Sequence, residues 1–266
     1  MEPIIVLVHD IWHTPEHYRP YITALEQSAF QVYCPLLSTC DLSLPPAQRS
    51  VLIDLAILSS LVKSLVAAGK KVIMVMHGYG GIIGSNVPEI LSFDYRAARG
   101  RRGGVIHLLY MSAYILPSDR SMVEFGLWDL PTNAAVIPGD PHRYFFGGVS
   151  QEEVARCLPL FVTIPEVVLR TRITQVAWKY VPCTYLFTRN NGAILPGFQI
   201  MMAQPVERGG RQYKERIYDA GHSIYLSHTR PMVEEVQAIS GVFWEQPLGQ
   251  PRMGGTSSSG GSEATS

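Results

Sequence analysis

Four short apolar runs set the limits on what this chain can fold into. They are Ile4–Val8, Val72–Met76, Val105–Met111 and Cys183–Phe187, interrupted only by His107 and Thr184. Each is too short for a buried helix and lacks the apolar–polar alternation of a half-exposed strand. Runs of this kind belong to strands covered on both faces. Segments with helical spacing lie between them: Tyr18–Phe30, Gln48–Ala68, Ile82–Leu91, Pro196–Gln204 and Pro231–Trp244. Gln31–Pro35 and Gln212–Tyr218 read as further strands. Strands alternating with helices predict an α/β fold, a mostly parallel sheet with helices on both faces.

One region breaks the alternation. From 117 to 179 no clear buried strand is present, and Trp128, Tyr144, Phe145, Phe146, Phe161 and Trp178 are spread through it. An aromatic-rich insertion of this size predicts a helical lid over the carboxyl edge of the sheet, where open α/β sheets bind their ligands. The expected organisation is a core of 1–116 and 180–245, a lid of 117–179 and a Gly/Ser-rich tail of 246–266 without fixed structure.

Composition excludes several classes. Lys+Arg and Asp+Glu are both 22, so no net charge calls for nucleic acid or a membrane surface. The basic stretch Arg96–Arg102 reads as a solvated loop. No apolar stretch reaches spanning length, and Met1-Glu2-Pro3 lacks the basic start of an export signal. A cytoplasmic protein with four free thiols, Cys34, Cys40, Cys157 and Cys183, is expected. No metal-ligand spacing and no complete phosphate-binding loop occurs, so neither metal nor cofactor is expected.

The topology brings three segments to the carboxyl edge. They are His9-Asp10-Ile11-Trp12-His13 after the first strand, His77-Gly78-Tyr79-Gly80-Gly81 after Val72–Met76, and Asp219-Ala220-Gly221-His222-Ser223 after the last strand. Together with Thr188-Arg189-Asn190-Asn191, they resemble the small α/β-hydrolases that include plant methylesterases, hydroxynitrile lyases and fungal biosynthetic hydrolases. The resemblance runs from Ile4 to Trp244. It implies an α/β-hydrolase fold with a Ser–acid–His triad in that chain order.

Two triad members are absent. The nucleophile position is Gly78, and the acid position falls at Asn191, which cannot carry charge. His222 matches the catalytic histidine. Asn191 is expected to orient its ring by a hydrogen bond, with Asp119 or Asp219 as possible substitutes for the missing acid. The backbone N–H groups of Ile11 and Tyr79 match the family's oxyanion hole and need no particular side chain. Asp10 stands where the family has Gly or Thr. Two readings stay open for it: an acid–base group raised in pKa by apolar neighbours, or a turn-capping carboxylate. His77, His9 and His13 read as packing or hydrogen-bonding residues, with His13 also placed in the pocket. Trp12, His13, Trp128, Phe145, Phe146 and Trp178 are the expected pocket residues.

The expected function is a non-hydrolytic enzyme acting on an apolar small molecule by cyclisation, isomerisation, elimination or carbon–carbon bond chemistry. His222 and Asp10 would move protons, and Ile11 and Tyr79 would polarise a carbonyl. The resemblance to fungal biosynthetic hydrolases implies a polyketide-type substrate. The alternatives are a serine esterase or thioesterase disabled at the nucleophile, and a non-catalytic binder of a small molecule.

Overall fold

The computed structural model describes residues 2–124 and 140–244. A six-stranded, all-parallel sheet has the order β2-β1-β3-β4-β5-β6. The strands are β1 (Ile4–Val8), β2 (Val32–Tyr33), β3 (Lys71–Gly78), β4 (Gly104–Ala113), β5 (Cys183–Thr188) and β6 (Tyr213–Tyr218). The central strands β1, β3 and β4 are buried almost throughout, as their apolar runs predict. Two apolar cores lie on the two faces. Val6, Met74, Leu108 and Tyr185 point to one, and Ile5, Val75, Leu109 and Leu186 to the other. Each fully buried side chain of this size contributes about 1.5–3 kcal/mol, which makes the sheet a rigid platform.

The helices are α1 (Arg19–Gln27), α2 (Val51–Ala67), α3 (Gly80–Gly84), α4 (Phe93–Ala97), α5 (Pro141–Phe145), α6 (Gln151–Cys157), α7 (Val167–Arg170), α8 (Pro196–Gly209), α9 (Ile224–Ser227) and α10 (Thr229–Trp244). The described part of the 117–179 insertion contains α5, α6 and α7 and no strand. Trp128 and the expected tail lie outside the described residues.

Two local expectations are corrected. The helix expected over Ile82–Leu91 is α3, only five residues long, followed by a separate 3-10 turn at Glu89–Leu91. Pro88 stands between them, and a proline ring pushes the residue before it out of helical geometry. Arg96 belongs to α4 and is not a solvated loop residue. Its guanidinium donates to the carbonyls of Gly103 at 3.0 Å, Val66 at 2.8 Å and Arg102 at 2.9 Å, pinning the entry to β4.

Candidate active site

Parallel topology delivers the ends of β1, β3 and β6 to one edge, and there the chain brings Asp10, Gly78 and His222 together. The turn after β3 is tight. Gly78 has φ +50°, in the left-handed region. A Cβ placed on Gly78 would overlap Cγ and both carboxylate oxygens of Asp10. The carboxylate therefore occupies the volume that a serine side chain at this turn would need.

Asp10 is almost wholly buried, and its two oxygens have different partners. Oδ1 accepts from the backbone N–H of Ile11 at 2.8 Å and of Tyr79 at 2.5 Å. These are the two donors that the sequence pointed to as an oxyanion hole. They converge on one point, and that point is the chain's own carboxylate. Oδ2 lies 2.9 Å from Nε2 of His222. Polarisation of a substrate carbonyl by Ile11 and Tyr79 is thus unavailable in this arrangement, because Asp10 already holds both donors.

The charge state follows from these contacts. Burial pushes the Asp10 carboxyl up, but the hydrogen bond from His222 and the neighbouring His222, His13 and His77 outweigh it, and the group is held well below the usual carboxylate range. Backbone N–H donors also favour the ionised form. Of the two readings left open for Asp10, the raised pKa is not found, and the carboxylate that accepts backbone N–H groups is. With Asp10 ionised, its contact with His222 is a hydrogen bond donated from Nε2. Nδ1 is buried and has no hydrogen-bond partner among the described residues.

A second set of buried groups fixes the backbone around this pair. The Asp10 N–H donates to Tyr18 Oη at 2.9 Å, and Tyr18 Oη lies 2.7 Å from His77 Nδ1. His77 Nε2 lies 3.0 Å from the carbonyl of His222. A carbonyl only accepts, so His77 is protonated on Nε2, and Nδ1 accepts from the Tyr18 hydroxyl. Burial lowers His77 to about 3, which keeps it neutral. Tyr79 is anchored through its side chain, with Oη donating to Asp54 at 3.0 Å. Asp54 also receives Ser38 Oγ and Thr39 Oγ1, each at 2.7 Å. Sequence reasoning gave Asp54 no role. Sequence reasoning gave Tyr18 no role in the site.

The remaining expected residues fall in several places. Asn191 does not orient His222. Its Oδ1 accepts from the N–H groups of Ala193 and Ile194, and its Nδ2 donates to Thr188, so it closes its own loop. Asp119 and Asp219 do not replace it. Both side chains are more than 70% exposed, with Asp119 3.7 Å from Arg172 and Asp219 3.1 Å from Arg189. His9 donates from Nδ1 to the Asp10 carbonyl at 2.8 Å and accepts the Leu37 N–H at 3.0 Å, a structural role.

Trp12, His13, Phe145 and Phe146 are buried around the pair. The His13 and Phe145 rings are 5.2 Å apart, Trp12 and Phe145 6.0 Å, and Phe145 and His222 5.5 Å. Trp12 has φ 62°, and its carbonyl accepts the Val162 N–H at 2.9 Å, which ties the loop after β1 to the 117–179 insertion. A non-glycine residue in that region costs about 1–3 kcal/mol and persists only where the surroundings hold it. Trp178 lies elsewhere, beside α8 and Lys179.

Asp10, His77 and His222 also offer ligand atoms within 4.8 Å of one another, a grouping invisible in the sequence spacing. They fit a metal ion poorly. Nε2 of His77 carries a proton toward a carbonyl, and its Nδ1 lone pair is taken by Tyr18. A metal needs a free lone pair from each histidine.

Two clefts open among the described residues. One, of about 380 Å³, is lined by Tyr114, Arg143, Tyr144, Gly192, Ala193, Ile194, Leu195 and Phe198. The other, of about 410 Å³, lies between α8 and the edge strand β6. None of the expected pocket residues that the structure describes lines either one.

The sequence profile of the alpha/beta hydrolase family matches residues 5–235. The chain belongs to this family. Among curated alpha/beta hydrolases, it is similar to nvfD of Aspergillus novofumigatus, 24% identical over 251 residues that cover 91% of this chain and 98% of that one. Solved alpha/beta structures superpose over most of their length. A methylesterase from Arabidopsis gives a TM-score of 0.68 at 17% identity, covering 91% of this chain and 99% of the other. Tomato Methylketone Synthase I gives 0.68 at 15% identity, covering 91% and 98%. A pyrethroid hydrolase from Sphingobium faniae gives 0.64 at 16% identity, covering 92% and 99%. These structural likenesses show the fold. Among the described residues, no helix is long and apolar enough to cross a membrane.

Proposed function

We propose that this alpha/beta hydrolase family member is an enzyme that moves protons on a small apolar molecule without forming an acyl-enzyme. The observation that carries this reading is the Asp10 carboxylate seated in the nucleophile's volume, with both oxyanion-hole donors bound to it. Acyl transfer needs a nucleophile and an unfilled oxyanion hole, and this arrangement supplies neither. It supplies a carboxylate–imidazole pair. Asp10 stays ionised and fixes His222 as the Nε2–H form. It also stabilises the imidazolium formed when Nδ1 takes a proton. The pair is a serine triad's acid and base with the acid moved to the other ring nitrogen.

His222 is then the group that removes a proton from a substrate hydroxyl or activated carbon and returns it elsewhere, while Asp10 is a positioning residue. Cyclisation, isomerisation, elimination and carbon–carbon bond chemistry all fit such a base, with the pocket holding the reacting atoms close. The resemblance to fungal biosynthetic hydrolases supports a natural product of polyketide type as the substrate class.

Fluorophosphonate labelling, read by intact mass, tests the exclusion of acyl transfer. Gly78→Ser alone is expected to stay unlabelled, because Asp10 fills the space and the donors. The double variant Asp10→Gly with Gly78→Ser frees both and is expected to label in a His222-dependent way. Thermal melts of both variants verify folding. Rapid labelling of the single variant would show that Asp10 moves aside for a serine, and would return the chain to the disabled-hydrolase reading.

A further inference from the structure

The proposed base packs against α5, the helix that also walls a cleft. The two ring nitrogens of His222 face opposite sides of the imidazole. Nε2 faces Asp10, at the end of β1. His222 follows β6, and the sheet order places β3, β4 and β5 between those two strands. The ends of β4 and β5 thus lie between these two loops along the sheet edge, and the His222 ring packs against Phe145 of α5.

The 380 Å³ cleft lies over those ends. Tyr114 follows β4, and Gly192–Leu195 follow β5 and lead into α8, which contributes Phe198. Its other wall is α5, through Arg143 and Tyr144. Two connections tie the cleft to the catalytic pair. Tyr114 donates its N–H to the Gly78 carbonyl at 2.9 Å. Phe145, next to Tyr144, packs against the His222 ring, and its carbonyl accepts the Ser223 N–H at 3.0 Å. Gly192 follows Asn191, whose side chain is turned into its own loop.

The lining defines a chemistry. Tyr114, Ile194, Leu195 and Phe198 are apolar or aromatic, no acidic side chain among the described residues lines the cleft, and Arg143 supplies a positive charge. The Arg143 backbone caps α5 on Asp140, but its guanidinium has no partner among the described residues. An arginine in a concave, largely apolar site suits a carboxylate, which it can grip with two parallel N–H donors.

We propose that this cleft binds a small apolar molecule carrying one carboxylate, with the carboxylate on Arg143 and the reacting group turned toward Nδ1 of His222. This rests on the reading of His222 as the base and adds the substrate's charge and the side of the ring it approaches.

Equilibrium binding of 2-naphthoate and of its neutral analogue 2-naphthamide tests the assignment on the full chain. The carboxylate is expected to bind about tenfold more tightly than the amide, a difference of about 1.4 kcal/mol. Arg143→Gln is expected to lose about that factor for naphthoate and leave the amide unchanged, with Arg143→Lys recovering part of it. Bound naphthoate is also expected to shift the ¹⁵N resonances of the His222 ring. Equal affinity for the two probes, no effect of Arg143→Gln, or no binding at millimolar probe would overturn the proposal. Arg143-dependent binding that leaves the His222 ring unmoved would overturn the shared site. Fluorophosphonate labelling does not involve Arg143, so it can separate failure of this cleft from failure of the proton-transfer reading.

Discussion

The two sides of the His222 ring differ sharply in how completely their polar groups are paired. On the Nε2 side, the Asp10 carboxylate collects two backbone N–H groups and the imidazole, and Tyr18 and His77 link the backbones of Asp10 and His222. Around Nδ1 the pairing is sparser: among the described residues the nitrogen has no partner, Asn191 is turned into its own loop, and the Arg143 guanidinium at the apolar cleft has none. An ordinary triad is paired in the opposite sense, with the acid on Nδ1 and the reacting serine on Nε2. Moving the acid to the nucleophile's place closes the old reaction side and leaves the other nitrogen for chemistry.

Acid is expected to break the paired side with the largest effect. Burial lowers His77 and His17 to about 3 and His9 to about 4, and lowers His107, elsewhere in the sheet, to about 3. Each is neutral in the fold but takes a proton in the unfolded chain near its ordinary 6.5. The unfolded state thus binds more protons below that value. Stability is fully present above about pH 6.5 and falls as the pH drops toward 4, by about 1 kcal/mol per histidine per pH unit. Chemical denaturation at a series of pH values checks this. A flat stability profile between pH 7 and 4 would show that these histidines are not held neutral.

A smaller effect sharpens the other side. Asn191→Ala removes the acceptor for two backbone N–H groups and is expected to cost about 1–3 kcal/mol by loosening the loop after β5. It is expected to leave the His222 ring resonances in place, since Asn191 does not touch them. Denaturant melts and ring ¹⁵N shifts of the variant test both parts, and a shifted His222 ring would show that Asn191 supports it after all.

Much of the fold was legible because buried parallel strands write themselves as apolar runs, and the chain's β1, β3, β4 and β5 lie where those runs are. The short α3 was misjudged because Pro88 was given too little weight against an apolar pattern. The missing nucleophile at Gly78 and the odd Asp10 were both visible. Their connection was not, because Asp10 and His222 are 212 residues apart and only the sheet order brings them into contact. The one-dimensional trace of that contact is a pair of exchanges, an acid where a small residue is usual and a glycine where a serine is usual. Asn191 misled because position in a loop does not say which way a side chain turns. The aromatic residues Trp12, Phe145 and Phe146 were expected to line a pocket; Trp12 packs on Phe145, Phe145 on His222, and Phe146 on Phe161. Composition identifies an apolar cluster but not whether it encloses space.

The central claim is that His222 is protonated on Nε2 by its bond to Asp10 and keeps Nδ1 as a free base. Long-range ¹H–¹⁵N correlation spectra of the histidine rings at neutral pH, assigned with a His222→Gln variant, read this directly. The structure predicts a protonated Nε2 and an unprotonated, pyridine-like Nδ1 for His222, and an Asp10→Asn variant is expected to disturb that pattern. A pyridine-like Nε2 with the proton on Nδ1 would mean that Asp10 does not set the tautomer, and the proposed exchange of roles would be wrong.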